Sequence, residues 1–268
     1  DTDCLDVYYI PPEKQTKESS LCNIVRQFRT LIGTSYIPPL WGFGYQQSRW
    51  GYRTEKDVRD VQKQFRKAGV PLDGICLDID YMEDYESFTI DKKKFPDMKK
   101  LSSDLKSDGI RLIPIIDAGI KIKDGYKIYE DGKKNGYFCK KADGTEYCAG
   151  VWPGRSNFPD FTRKDVRKWF GAQYKNLTDA GIEGFWNDMN EPAMFYSDES
   201  LAAAFKKLES FSGKNLDINC FFDFCGTSGS TFNRLDDYKR FYNEVTLKNG
   251  RIAKRRHDTI HNIYGSHM

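Results

Sequence analysis

From Trp41 onward, short apolar runs alternate with longer stretches whose apolar residues recur at helical spacing. This is the pattern of parallel strands joined by crossover helices. Four strands are predicted, at 41–45 (WGFGY), 74–79 (GICLDI), 111–117 (RLIPIID) and 184–189 (GFWNDM). Between them, residues 54–68 and 162–180 predict helices, each opening on a threonine in capping position and closing at a glycine. Residues 98–107 predict a shorter helix, so the order runs β, α, β, α, β, α, β.

Two segments interrupt this rhythm. Near 121–150, alternating Tyr, Phe and Lys with Asp131-Gly132 and Asp143-Gly144 as turn signals predict a small β-rich excursion. After Pro192 come a helical stretch at 201–211, a passage rich in Gly, Ser and Phe to Thr231, and charged sequence to Asp258. Residues near 193–258 therefore read as an insertion following the fourth strand, with Lys254-Arg255-Arg256 as a solvated face. At the other end, CLDVYYI at 4–10 predicts a strand.

Composition adds limits. With 268 residues, 39 % apolar, the chain can bury one large core or two small ones. Forty-two basic against 39 acidic side chains leave +3, too balanced to point to nucleic acid or an anionic membrane as partner. No run approaches the ~20 apolar residues of a transmembrane helix, and the first residues lack the basic and apolar parts of a signal peptide. Seven cysteines show no zinc-like spacing, so no metal is expected, and no phosphate or dinucleotide loop calls for a cofactor. Cys139 and Cys148 flank the turn at 142–145 and are either paired across two strands or reduced; nothing fixes the compartment. Asn176-Leu177-Thr178 is a glycosylation sequon, but it falls inside a predicted helix.

The candidate chemistry lies at the strand ends. Asp78 and Asp80 follow the second strand, Asp117 ends the third, and Asp188 lies on the fourth. In parallel α/β architectures these ends converge on one face, where ligands bind. A lone aspartate there is commonly a cap or turn former, and that reading stays open for Asp80. Three successive strands ending in carboxylates place like charges in one pocket and raise their pKa values, a cost accepted mainly for function. Carboxylates among aromatics suit glycoside cleavage, in which one carboxylate attacks the anomeric carbon and a carboxylic acid protonates the leaving oxygen. Only three histidines occur, His257, His261 and His267, so a serine-type triad is poorly supplied. Trp50, Trp152 and Trp186 sit at strand ends or in the following loops, where rings can carry a sugar; Trp41 reads as core.

Several motifs, in order and spacing, resemble glycoside hydrolase family 31: WGFGYQQSRWGY at 41–52, LDIDYM at 77–82, IPIIDAGI at 113–120, VWPG at 151–154, GFWNDMNEPA at 184–193 and HNIYG at 261–265. The resemblance spans Tyr36 to Gly265. It implies an α/β fold, a (β/α)8 TIM barrel present as its first half with an inserted subdomain, preceded by the tail of a β-sandwich. Residues 1–35 would then end the sandwich, and 36–268 would form the partial barrel. It implies a retaining α-glucosidase acting on terminal non-reducing α-linked glucose, with Asp188 as nucleophile. Asp78 and Asp117 would hold sugar hydroxyls, with Ile79 and Ile115 beside them. Trp152, Trp186 and Met189 would form apolar walls, and Trp50 would stand at the pocket entrance. The family's general acid lies on a later strand with a Gly-Asp-Asn signature, which this sequence lacks, so the chain alone is expected to be inactive and to need the rest of the barrel as its partner. Two alternatives remain: another barrel glycosidase using Glu191 of Asn190-Glu191-Pro192 as its acid, and a noncatalytic sugar-binding fragment.

Overall fold

A computed structural model describes residues 7–13, 19–213, 218–220 and 235–268. The chain divides into two units, Asp1–Phe43 and Gly44–Met268. In the first, helix α1 (Ser20–Ile32) is capped by the Ser19 side chain, which accepts from the Cys22 N–H. Val7 to Ile10 do not form the strand expected at 4–10, whose remaining residues lie outside the described ones.

The second unit runs β1 (Gln46–Gln47), α2 (Glu55–Ala68), β2 (Gly74–Leu77), α3 (Met98–Ser107), β3 (Arg111–Asp117), β4 (Ile120–Lys121), α4 (Lys127–Lys134), β5 (Lys140–Lys141), β6 (Cys148–Val151) and β7 (Gly154–Asn157). It continues through α5 (Lys164–Gln173), α6 (Lys175–Thr178), β8 (Trp186–Asp188), β9 (Tyr196–Ser197), α7 (Asp198–Glu209), β10 (Phe241–Thr246) and β11 (Ile252–Arg256). Strands β1-β2-β3-β8 form a parallel sheet in that order, with crossovers through α2, α3 and α5 to α6.

Local chemistry sets these elements. Helix α2 starts at a reciprocal capping box between Thr54 and Asp57 and stops at Gly69, whose φ of 66° is left-handed. Helix α3 is capped by Asp97, which accepts from the Lys100 N–H, and buries Met98, Leu101 and Leu105. Strand β3 is buried almost throughout, as expected of a central parallel strand covered on both faces.

Three expectations need correction. The first strand lies at Gln46–Gln47, because Pro38-Pro39 start a 3-10 turn over Leu40–Phe43 in which the Gly42 N–H donates to the Pro39 carbonyl. The helix expected over 162–180 is two pieces beginning at Lys164. Thr162 donates through both N–H and Oγ1 to Asp160 Oδ1, at 3.2 and 2.6 Å, and so serves a turn rather than a cap. Asp131-Gly132 is not a turn but part of α4. A Cβ on Gly132 would stand 2.5 Å from Phe138 and 3.1 Å from Trp169, so the glycine admits two rings, while Asp131 accepts from Trp169 Nε1 at 2.6 Å. The Asp143-Gly144 turn does form, and Tyr147 rather than Cys148 stands across from Cys139; both cysteines are free thiols.

The excursion and the insertion are joined to each other. Strand β9 pairs with β6, and the β10–β11 hairpin pairs with β5. Lys254, Arg255 and Arg256 are exposed, as expected of a solvated face, and Lys254 also lies over the Tyr242 ring and donates to the Lys141 and Ala142 carbonyls. Most of the passage rich in Gly, Ser and Phe lies outside the described residues.

Candidate active site

The register of the parallel sheet brings the acids together. Asp117 is the ladder partner of Asp188, and Ile115 of Trp186. Leu77 pairs with Pro114, so Asp78 follows at the level of Ile115. Side chains alternate between faces with period two, which puts Asp78, Ile115, Asp117, Trp186 and Asp188 on one face. Asn187, between Trp186 and Asp188, points the other way and accepts from the Tyr174 hydroxyl at 2.7 Å beside α5.

Two of the acids, Asp78 and Asp188, are held by their own backbone. The Asp78 carboxylate accepts from the Ile79 N–H at 2.8 Å and opens a 3-10 turn, Ile79–Tyr81. Asp188 does the same with the Met189 N–H at 2.9 Å, where Met189 has a left-handed φ of 55°. Strand β3 is pinned from behind: Tyr81 donates to the Ile115 carbonyl at 2.8 Å, Ser87 to that of Asp117 at 3.0 Å, and Tyr126 to that of Ser87 at 2.7 Å. Asp84, Tyr85 and Phe88, in the loop after β2, also have left-handed φ, a concentration of backbone strain typical of functional loops. Ile79 and Ile115 are buried members of the core beneath the acids.

The electrostatics separate the three. Asp117 is 4 % exposed, and its Oδ1 is buried with no hydrogen-bond partner. Burial first, then the charges of Asp188 and Asp78, raise its pKa to about 7. Asp78 is half-buried and is also pushed up, by burial and then by Asp80 and Asp188, against the pull of its bond to Ile79. Asp80, buried, faces Arg53 Nε at 3.7 Å, which supports an ion-pairing role. Glu191 is exposed and lies beyond the ladder.

Aromatic rings form a row. Trp50, 55 % exposed in the loop after β1, lies 5.5 Å from Trp152, 40 % exposed in the β6–β7 turn; Trp152 meets Phe195 edge-on at 4.7 Å. Phe195 is held by its N–H, which donates to the Gly150 carbonyl at 2.8 Å.

Comparison with known proteins fits this geometry. The model of the glycosyl hydrolases family 31 TIM-barrel domain matches residues 35–268. The chain belongs to glycosyl hydrolase family 31. It is 48 % identical over 179 residues to alpha-glucosidase 2 of Bacillus thermoamyloliquefaciens, covering 67 % of this chain and 23 % of the relative. It is 38 % identical over 183 residues to human neutral alpha-glucosidase AB, covering 67 % and 19 %. The chain thus spans about a fifth of the length of these relatives. A Flavobacterium johnsoniae family 31 dextranase, solved with glucose, shares the fold over 91 % of this chain and 25 % of its own, at a TM-score of 0.64 and 23 % identity. The parallel sheet is accordingly part of a TIM barrel, with four parallel strands among the described residues.

Within this family 31 chain, sequence reasoning missed Phe195, although its place shortly after the Asp188 segment was the available signal. It also passed over His257 and His261, whose ring nitrogens Nε2 and Nδ1 lie 2.9 and 3.1 Å from the Glu191 carbonyl. Their separation of 66 and 70 residues from Glu191 leaves no local pattern to read.

Proposed function

We propose that this chain carries the nucleophile of a retaining α-glucosidase that removes terminal non-reducing α-linked glucose, with Asp188 as that nucleophile. The observation that carries the reading is the register of Asp117 beside Asp188 at the ends of adjacent parallel strands, with Asp78 on the same face. Asp188 attacks the anomeric carbon, the bond to the leaving oxygen breaks, and a covalent glycosyl-enzyme forms that water then hydrolyses. Asp117, with a pKa of about 7, is largely protonated below neutrality and donates to a sugar hydroxyl without placing a second full charge beside the nucleophile. Asp78 accepts from a neighbouring hydroxyl. Trp186 and Met189 wall the sugar, with Ile79 and Ile115 beneath, while Trp50 and Trp152 meet the next residue of the substrate.

A retaining mechanism needs a second carboxyl about 5–5.5 Å away across the scissile bond. Asp117 stands alongside Asp188 on the same face and does not fill that role. In this reading the acid comes from a later barrel strand, so the chain alone turns over no α-glucoside.

Mass spectrometry after incubation with an activated fluoro-glucosyl fluoride tests the reading, since fluoride leaves without an acid. The expected adduct is on Asp188, lost in Asp188→Asn and kept in Glu191→Gln. An adduct on Glu191, or its loss in Glu191→Gln alone, favours the glycosidase that uses Glu191. Turnover of nitrophenyl α-glucoside by the chain alone would refute the missing acid.

A further inference from the structure

The turn that presents Asp78 withdraws donors from the strand that presents Asp117. At the start of the β2–β3 pairing the Arg111 N–H donates to the Asp73 carbonyl, so residues 111, 113, 115 and 117 aim their N–H and C=O groups toward β2. The evenly spaced bonds of a parallel pair would next bring the Ile79 and Tyr81 N–H groups to the Ile115 and Asp117 carbonyls. Instead the Ile79 N–H goes to the Asp78 carboxylate at 2.8 Å and the Tyr81 N–H to the Asp78 carbonyl at 3.5 Å. Two hydroxyls stand in for them. That of Tyr81 reaches the Ile115 carbonyl at 2.8 Å, and Ser87 Oγ reaches that of Asp117 at 3.0 Å. Tyr81 and Ser87 are fully buried, and since a carbonyl only accepts, both hydroxyls donate.

We propose that Ser87 is a positioning residue: its hydroxyl replaces the ladder donor that Asp117 loses when the chain turns to present Asp78, and so fixes the end of β3 beside Asp188. The role rests on the reading of Asp188 as nucleophile and of Asp117 as the group that holds a sugar hydroxyl. The segment around Ser87 keeps that aim. The Ser87 carbonyl accepts from the Tyr126 hydroxyl at 2.7 Å, and Glu86, 5 % exposed, pairs with Lys123 Nζ at 2.5 Å. Phe88, at a left-handed φ of 67°, meets Phe170 and Tyr174 edge-on at 4.9 and 5.0 Å. Such a conformation persists where the surroundings over-determine it. Without the Ser87 donor the last carbonyl of β3 would lose this bond, and the strand end would turn to seek another. That would carry the Asp117 carboxyl off the sugar, and small misplacements are costly in a displacement.

The test compares two buried serines that each donate to a backbone carbonyl. Ser102 Oγ reaches the Gly181 carbonyl at 3.0 Å, ahead of β8 and so at the end of the sheet away from the acids. Fluoro-sugar labelling of Asp188 is expected to slow about tenfold in Ser87→Ala, the worth of one hydrogen bond, and to keep the original rate in Ser102→Ala. Ser87→Cys, which retains a weak donor of similar size, should restore part of the rate. In carbon-13 NMR of the labelled chain, the Asp117 carbonyl resonance should move upfield in Ser87→Ala, while that of Ile115, held by Tyr81, stays in place. An unchanged labelling rate in Ser87→Ala, an equal loss in Ser102→Ala, or an unmoved Asp117 carbonyl overturns the proposal and leaves the nucleophile reading standing. Absence of any label on the unaltered chain overturns the nucleophile reading, and the role with it. If Ser87→Ala does not fold, as judged by circular dichroism, Ser87→Cys decides: a rate and an Asp117 carbonyl resonance equal to the original overturn the proposal.

Discussion

On the helix-facing side of the central sheet, Ile75, Leu77 and Ile116 are fully buried, while on the opposite face Cys76, Asp78, Trp186 and Asp188 remain half-exposed. The same strands supply both sets, one residue apart. The first face is a finished core, where apolar burial contributes stability. The second keeps carboxylates near water, and the fold tolerates them because Asp78 and Asp188 are each half-solvated and bonded to a backbone N–H. Asp117 is the exception, since β3 is covered on both sides. The contrast teaches that the penalty of clustering three acids is concentrated on the most buried of them.

The sharpest way to break this comparison is Asp117→Asn. The folded pKa is raised to about 7 from an unfolded value near 4, so between these the folded chain keeps a proton that the unfolded chain has lost. Stability therefore falls as pH rises through that window, and above it the loss reaches its full extent. The asparagine variant should be more stable than the original at pH 8 by about 4 kcal/mol, with no such gain below pH 4. Urea unfolding across that range checks this, and parallel curves for the two proteins would place the acid in a wetter site.

Leu77→Ala, on the finished face, should cost about 3 kcal/mol. Cys76→Ala, its neighbour on the open face, should cost under about 1 kcal/mol. Thermal melts compare them, and equal losses would erase the distinction between the faces. The smallest expected effect on stability is that of Trp152→Ala, within about 0.5 kcal/mol because the ring is substantially exposed. The same change should weaken binding of an α-linked glucose disaccharide several-fold in calorimetry, by roughly the 1 kcal/mol typical of an aromatic contact. Unchanged affinity would remove Trp152 from the sugar platform.

Much of this was legible in one dimension. The bounds of α3 and β3 were read from periodicity alone, because both are regular and strongly patterned. The strand-end acids were visible for the same reason, since Asp117 and Asp188 close their strands and Asp78 directly follows its own. Where reading failed, a side chain answered to a distant partner. Thr162 turned to Asp160 instead of capping a helix, and Gly132 made room for Phe138 and Trp169 instead of turning the chain. The first strand was misplaced because prolines and glycines around Trp41 favour a tight turn over extension.

The sequence by itself determined the alternation of strands and helices, the acids at the strand ends, and the motifs that resemble family 31, because each is a property of residues within a few positions of one another. Tertiary structure decided that Asp117 stands beside Asp188, that burial lifts the first toward neutrality, that the excursion and insertion share their sheets, and that His257 meets the Glu191 carbonyl. Register, dielectric surroundings and contacts across 66 residues depend on how separate elements pack, and no local pattern encodes them.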